Sequence, residues 1–479
     1  MEVTLPISAP VKSVLLAVPA KVNGLTRAAT TTVTLPLSFM VAGLMALFFG
    51  AGWIVAQPAI LTAYHFNPAT VALTHLFVLG WICSIVMGAL YQLVPVALET
   101  KLYSERLVRW HLMCHVTGFT GMVWTFHVWN MKQVGHFGSL FALGVGLFVY
   151  NIARTLLRVP KWNVIASAAA TALAWLTLTM LAGLLLAATM CSYGTSRTGL
   201  FGSMIAGLHV VADWAARFNP LNAMHAHAHL GVIGFFITLI VGVSYTLIPM
   251  FTLSELQNRR RAVWSVLLLN LGLAGSFLTI LSGSPLRLMF ALIIVFGLVL
   301  YGLELGAILR ARKRRALDWG VKYFLTAVAW LAPLSALAVV LSWPGLPFNG
   351  FTAQLENVYG FLGLFSVVSF AIIGMLYKII PFLVWFGAYS PHIGRAKVPA
   401  LAEMYSARWQ AAGYWTFQVG LVATAIAILT ANANGARVGS ALLALSLATL
   451  ALNVGKILLH GLRPRLIPLV KTPLSPIAP

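Results

Sequence analysis

The sequence is poor in charged residues, above all in acidic ones. Only 8% of its 479 residues are charged, and Asp and Glu together number 9 against 31 Lys and Arg. A soluble chain carries charge at about a quarter of its positions, so this composition excludes a water-soluble enzyme. Cysteine is also scarce, since only Cys83, Cys114 and Cys191 are present and each lies in an apolar run. That placement excludes a disulfide framework and a CxxC metal site.

What the chain has instead is hydrophobic sequence in long runs. Hydrophobic residues make up 60% of the chain, and the mean hydropathy is +0.91. A membrane-spanning helix needs about 20 apolar residues, and the runs are separated by short basic or Gly/Pro-rich breaks. We therefore predict an all-α polytopic membrane protein with twelve transmembrane helices, at 33–56, 70–98, 107–129, 137–157, 164–189, 222–252, 262–282, 286–309, 320–343, 352–386, 407–430 and 437–460.

The basic residues predict the orientation of these helices. Lys and Arg cluster after the even-numbered spans, as in Arg259–Arg261 and Arg310–Arg315, and are sparse after the odd-numbered ones. By the positive-inside rule both termini are cytoplasmic, with an N-terminal tail at 1–32 and a C-terminal tail at 466–479. The net charge of +22 then reflects topology and anionic lipid rather than nucleic acid. The expected location is a bacterial-type inner membrane.

An internal repeat is visible in three of the spans. Helix two reads HLFVLGWICSIVMGALYQLVP from His75 to Pro95, with Gly, Tyr and Pro at 13, 16 and 20 residues after the histidine. The same three residues recur at the same spacing after His229 in helix six and after Phe361 in helix ten. We therefore predict three pseudo-threefold repeats of four helices, at 33–160, 161–315 and 316–465.

Histidines placed in the outer half of the predicted bilayer are the candidate ligands. A histidine inside a span is costly unless it has a partner, and neutral imidazole is a common ligand of heme iron, copper and zinc. In the run MHAHAHLG, His225 and His229 are four residues apart and share a helix face, whereas His227 points away. The alternative is that these are polar residues at the water interface. His75 is equivalent to His229 in the repeat, and His127 has a similar depth.

These histidines give two overlapping candidate sets. The cofactor-binding candidates are His75, His229, His225 and His227, and the metal candidates are His75, His127, His225 and His229. The remaining histidines are assigned to structural, loop or interface positions: His65, His111, His115, His136, His209, His392 and His460. No catalytic residue is assigned.

The pattern resembles subunit I of the heme-copper oxidases, most closely the C-type oxidases and their nitric oxide reductase relatives. The sixth helix of that family similarly begins with a histidine and continues through GFF, a glycine, a tyrosine and a proline, here His229, 234–236, Gly242, Tyr245 and Pro249. The stretch from Tyr103 to His111 is also similar to the family's entry into its third helix. The resemblance implies that His75 takes the place of the low-spin heme ligand and His229 that of a copper ligand.

The sequence also departs from that family. Its tenth helix supplies an H-x-H pair that ligates two hemes, and those positions are Tyr359 and Phe361 here. Its seventh helix supplies an adjacent histidine pair for copper, and the span 262–282 contains no histidine. A second resemblance is to the heme-binding NnrS-type membrane proteins linked to nitric oxide metabolism, although their WHxHE-type opening is absent.

Two functions of different class follow from the resemblance. The first is an oxidoreductase-like membrane protein that binds heme b, with copper as a second cofactor, and acts in respiratory electron transfer or in O2 or NO chemistry. Its implied partners are cytochrome c-type or other respiratory subunits. The second is a non-catalytic subunit or a heme- or copper-handling protein without turnover. The scarcity of intramembrane carboxylates, with Glu304 and Glu356 the main candidates, argues against a proton-coupled transporter.

Overall fold

The computed structural model describes residues 33–160, 162–192 and 213–468. The predicted tail at 1–32, His209 and most of the predicted C-terminal tail lie outside the described residues. Twelve long helices account for most of the described chain. They are α1 Thr34–Ala56, α2 Pro68–Ala97, α3 Glu105–His127, α4 Met131–Leu156, α5 Val164–Ser192, α6 Pro220–Thr252, α7 Arg259–Leu281, α8 Arg287–Arg310, α9 Trp319–Leu341, α10 Gly350–His392, α11 Ala407–Leu429 and α12 Ala433–Leu462.

The prediction of an all-α membrane protein is confirmed. Eleven of these helices are long and apolar enough to cross a membrane, and α3 has the same 23-residue length as α1 with a more polar sequence. Helices α2, α6 and α10 are 30, 33 and 43 residues long. The only strands in the described residues are β1 Ala396–Lys397 and β2 Ile467–Pro468, which pair antiparallel.

Asparagine caps move several helix starts a few residues ahead of the predicted ones. Asn67 accepts a hydrogen bond from the backbone N–H of Thr70, and Pro68 follows as the first helical residue of α2. Asn258 caps α7 through the N–H of Arg261. A hydropathy profile does not detect these helix starts. The capping side chain is polar and lies outside the apolar run, where it accepts hydrogen bonds from the first free backbone N–H groups of the helix.

Helices α2, α6 and α10 each contain a π-helical segment. The segments are Leu76–Cys83 in α2, Leu230–Ile237 in α6 and Gly363–Ser369 in α10. The first two begin directly after His75 and His229. The segment of α10 contacts those of both α2 and α6, so the three helices meet in the interior. π-Helical turns are rare and occur frequently at functional sites.

Glycines allow the long helices to approach their neighbours closely. A Cβ at Gly242 of α6 would lie 2.0 Å from the Cβ of Ala168 on α5. A Cβ at Gly374 of α10 would lie 2.6 Å from the carbonyl oxygen of Gly320 on α9. Gly88 of α2 packs in the same way against α1. A larger residue at these positions would force the packed helices apart, because interiors are close-packed and have no slack to absorb the added atoms.

Polar side chains tie the start of one helix to the later part of the next. The amide of Asn151 accepts from the N–H of Ser104 at 3.0 Å and donates to the Ser104 carbonyl at 2.8 Å. Asn453 makes the same two bonds with Ser406, again 47 residues earlier in the chain. These bonds fix the start of α3 against α4 and the start of α11 against α12.

At the start of α7 the corresponding tie is a buried carboxylate, and its loss is expected to destabilise the protein. Glu304 Oε1 accepts from the N–H groups of Gln257 and Asn258 at 2.7 and 2.8 Å, and Glu304 Oε2 lies 3.4 Å from Arg261 Nη1. Glu304→Leu leaves both donors without this acceptor, which costs about 1–3 kcal/mol. The thermal midpoint in detergent should therefore fall. Glu304→Gln keeps an acceptor oxygen and should lose less; equal losses would contradict this account.

Candidate functional site

In the described part of the chain, a large cavity lies at the end of the bundle where α2, α6 and α10 begin. Its volume is about 650 Å³, which is in the range of small-molecule and cofactor sites. The lining is mostly apolar and includes several phenylalanines, Phe77, Phe126, Phe235, Phe236 and Phe365. The ionisable side chains of the lining include five histidines, His65, His75, His225, His227 and His229, together with Arg287, Glu356 and Tyr359.

His75 and His229 line this cavity in the same local arrangement. The Nδ1 of His75 lies 2.8 Å from the carbonyl oxygen of Val71, one turn earlier in α2. The Nδ1 of His229 lies 2.7 Å from the carbonyl oxygen of His225, one turn earlier in α6. A carbonyl can only accept, so Nδ1 carries the proton in both rings and Nε2 keeps its lone pair. Metal-ligating histidines are commonly oriented by such an anchor.

The contacts of the two rings differ. The His75 ring packs against Phe126, with ring centroids 4.4 Å apart. The Nε2 of His229 lies 3.4 Å from the Tyr359 hydroxyl, and the two rings are stacked with centroids 5.9 Å apart. Phe361, at the position equivalent to His75 and His229 in the sequence repeat, is buried. Helix α10 therefore brings a phenol rather than an imidazole to the cavity.

A second group of polar atoms converges in the wall of the same cavity. The Nε2 atoms of His65 and His225 lie 2.9 Å apart, and Glu356 Oε2 lies 3.9 Å from His65 Nε2. One potential ligand atom from each of these residues lies within 4.8 Å of the others, and the described residues contain no other such group of His, Cys, Asp or Glu. His65 comes from the loop between α1 and α2, His225 from α6 and Glu356 from α10. We call these three residues the His–His–Glu cluster.

Asn357 determines which nitrogen of His65 faces the cluster. The amide nitrogen of Asn357 donates to the Ala63 carbonyl at 2.9 Å and to Gln354 Oε1 at 3.0 Å, so its oxygen points toward His65. That oxygen lies 3.0 Å from His65 Nδ1, which therefore carries the proton. The lone pair of His65 is left on Nε2, the atom that faces His225 and Glu356.

The loop residues of this region have shifted pKa values. Burial lowers the pKa of His65, and its hydrogen bond to Asn357 opposes that shift, so the imidazole is neutral at pH 7. Burial and the nearby Glu356 carboxylate raise the pKa of Tyr64 to about 12. The site therefore presents a neutral imidazole and a protonated phenol beside one carboxylate.

The other predicted histidines lie in different surroundings. The ring of His227 packs against Gly183 of α5, and its Nδ1 is buried without a hydrogen-bond partner. His127, predicted as a metal ligand, is not part of the cavity lining. It is exposed at the end of α3, with its ring 5.3 Å from that of Trp53. The structure therefore does not bring His127 together with His75, His225 and His229.

Three further histidines make buried hydrogen bonds. His111 contacts the Tyr91 hydroxyl at 2.9 Å, and His115 contacts Ser84 Oγ at 2.8 Å, as suits the structural role predicted for both. His460, predicted at a loop or interface, is instead buried and bonded to the Tyr389 hydroxyl at 2.7 Å.

Sequence reasoning assigned His65 to a loop, where it lies, and did not connect it with His225 and Glu356. One signal was available. Phe-Asn-Pro occurs at 66–68 and 218–220, and Phe-Asn-Gly at 348–350, directly at the starts of α2, α6 and α10. Residues next to these motifs lie near one end of the bundle, because the three helices begin there. The motif brings His65 to the region of the cluster but does not specify its partners.

Comparisons with known proteins identify a similar fold but no match in sequence to a family model or a curated protein. No family model and no curated protein matches the sequence. A heme-copper terminal oxidase, determined as a dimer by cryo-electron microscopy, matches in structure with a TM-score of 0.56 and 12% identity over 92% of this chain and 85% of that one. The chain therefore has the fold of a heme-copper oxidase subunit with a strongly divergent sequence.

Proposed function

We propose that the protein binds heme b in the large cavity at the end of the bundle and acts in respiratory electron transfer or in the chemistry of O2 or NO. The observation that carries the proposal is the pair His75 and His229. Both imidazoles line one apolar cavity, and a backbone carbonyl anchors the Nδ1 of each. In this proposal the Nε2 atoms of His75 and His229 would hold the iron, and the apolar cavity would bury the porphyrin.

The residues of the cavity fit a heme on three grounds. The volume of about 650 Å³ and the apolar lining suit a flat hydrophobic group. Gly360 lines the cavity with open space where a Cβ would project. The buried Nδ1 of His227 has no hydrogen-bond partner, so the wall retains polar capacity that a bound group can use. When bound, heme would supply one-electron redox chemistry.

The copper centre implied by the resemblance does not fit the residues at its expected place. The family's copper ligands on the seventh helix have no counterpart, because Arg259–Leu281 contains no histidine. His127 is exposed and apart from the cavity lining. The described residues at that position therefore do not form the copper site that the resemblance implies.

The arrangement of the helices in three pseudo-threefold repeats, 33–160, 161–315 and 316–465, is part of the proposal. Three features support it: a π-helical segment in each of α2, α6 and α10, a glycine contact from each to the helix before it, and the start of each following helix tied by Asn151, Glu304 or Asn453. We further propose cytoplasmic termini, a bacterial-type inner membrane, and cytochrome c-type or other respiratory subunits as partners.

A second function is favoured by a specific departure. Tyr359 and Phe361 stand where the resemblance expects heme ligands on helix ten, and the missing histidines of α7 remove the second metal of a gas-reducing centre. Both departures favour a heme-handling protein or a non-catalytic subunit without turnover. An electrode trace of O2 and NO consumption with a reduced electron donor distinguishes the two functions. Consumption that depends on His75 supports the first, whereas bound heme without consumption supports the second.

The primary test is the absorption spectrum of the full chain, expressed with ample heme supply and purified in detergent. We expect a Soret band, reduced-minus-oxidised bands of a b-type heme, and iron near one atom per chain. Absence of a Soret band in protein that remains folded by gel filtration would end the proposal.

A further inference from the structure

We propose that the His–His–Glu cluster is a binding site for a divalent first-row transition-metal ion, separate from the heme ligands and formed where the α1–α2 loop meets α6 and α10. It uses the side chains of His65, His225 and Glu356. The inference is independent of heme binding, because none of these three side chains is an axial ligand in the proposed function.

The distances suit such an ion. Bonds of about 2.0–2.1 Å in a tetrahedral site place neighbouring ligand atoms about 3.3 Å apart. The observed separations of 2.9 Å between the imidazole nitrogens and 3.9 Å from His65 to Glu356 lie on either side of that value. Since the remaining separation, between His225 and Glu356, is within 4.8 Å, small side-chain movements bring all three atoms to bonding distance, with a position left for water or another ligand.

The donor set determines the class of metal. Two imidazole nitrogens and one carboxylate oxygen form the ligand set of catalytic zinc sites and of non-heme iron sites. Ca²⁺ and Mg²⁺ prefer oxygen ligands throughout, which this cluster does not provide. The side chains thus favour Zn²⁺, Fe²⁺ or Co²⁺ over the alkaline earth ions.

The cluster also has an acceptor without a hydrogen bond. Glu356 Oε2 is buried and makes no hydrogen bond within the described residues. Arg287 is the one Lys or Arg in the described cavity lining; its charge acts on Glu356 from a distance, and its Nε donates to the Ser342 carbonyl at 3.3 Å. A buried carboxylate oxygen without a partner is costly, and a bound cation would satisfy it.

The hydrogen bonds around the cluster favour the ligating form of His65. Asn357 holds the proton of His65 on Nδ1, so the lone pair on Nε2 is directed at the cluster without any rearrangement. This makes Asn357 a positioning residue. Such partners typically contribute roughly 10- to 100-fold to metal affinity.

The test is a Co²⁺ titration of the chelator-treated full chain in nanodiscs, read by visible d–d absorption and by competition with Zn²⁺. We expect one Co²⁺ per chain with a tetrahedral or five-coordinate spectrum. His65→Ala and the nearly isosteric Glu356→Gln should each weaken binding by more than about 100-fold, because even an outer partner is worth roughly 10- to 100-fold. Asn357→Leu should weaken Co²⁺ binding by roughly 10- to 100-fold. Asn357→Asp, which keeps an acceptor for His65 Nδ1, should bind Co²⁺ with an affinity close to that of wild type.

The matched control is His127→Ala, which removes an exposed histidine outside the cavity lining and should leave Co²⁺ affinity unchanged. Absence of stoichiometric Co²⁺ binding by the wild type would overturn the proposal. Wild-type affinity in either His65→Ala or Glu356→Gln would also overturn it. The heme Soret band is recorded on the same samples. Intact metal binding without heme contradicts only the proposed function, and intact heme without metal binding contradicts only this inference.

Discussion

His75→Ala is expected to reduce the heme bound per polypeptide by at least about tenfold while the protein stays folded. The substitution removes the imidazole whose Nδ1 is held by the Val71 carbonyl at 2.8 Å and whose ring lines the cavity. Alanine offers no ligand to iron, and even loss of the anchor alone would lower affinity roughly 10- to 100-fold. The measurement is the Soret absorbance relative to protein, with the pyridine hemochrome assay for total heme.

The result depends on comparison with other histidine variants. His229→Ala should lower heme content in the same way, because its Nδ1 has the equivalent anchor and its Nε2 remains near Tyr359. His127→Ala lies outside the cavity lining and serves as the control, with heme content expected within experimental error of wild type. Wild-type heme content in folded His75→Ala would show that the iron is held elsewhere.

The membrane fold was predictable because a bilayer places direct requirements on the composition of the chain that crosses it. Backbone groups in hydrocarbon must bond internally, so long apolar runs become helices. The Gly, Tyr and Pro spacing singled out α2, α6 and α10 from the sequence alone, and α2 and α6 carry His75 and His229. The ends of helices were less predictable, because asparagine caps such as Asn67 and Asn258 lie beyond the apolar runs.

The π-helical segments could not be predicted, because they depend on how α2, α6 and α10 meet in the interior. Local sequence such as LFVLGWIC has no feature that separates an i→i+5 turn from an ordinary helix. His127 illustrates a related difficulty. Hydropathy gives its depth in the membrane but not the direction of its side chain, and the structure turns it away from the cavity.

The His–His–Glu cluster could not be predicted from the sequence, for a different reason. His65 and Glu356 are 291 positions apart, and only the tertiary packing of the α1–α2 loop brings their side chains within 3.9 Å. The scarcity of acids was informative, since it singled out Glu304 and Glu356. The sequence could not separate their roles: Glu304 accepts two backbone hydrogen bonds at the start of α7 and faces Arg261, whereas Glu356 faces the imidazole of His65 in the cavity wall.

Gly360→Trp is expected to prevent heme incorporation by occupying the cavity, without a comparable loss of stability. No heavy atom lies within 4 Å of where a Cβ at Gly360 would be, and the residue lines the cavity. An indole projecting from this position therefore meets open space rather than packed side chains, so the overpacking cost of a filled core does not apply. Heme content should fall by at least about tenfold, whereas the thermal midpoint of the heme-free protein should stay close to that of wild type.

Two controls separate occupation of the cavity from the effect of replacing a glycine. Gly360→Ala adds a single methyl group and should keep most of the heme. Gly302→Trp introduces the same indole at an exposed glycine of α8 that also has no atom within 4 Å and lies outside the cavity lining, so its heme content should match wild type. A Gly360→Trp variant with full heme content would show that heme does not occupy this cavity. That conclusion would hold even if His75→Ala had lost its heme, because His75 can bind a heme in the cavity only if the space beside its ring is free.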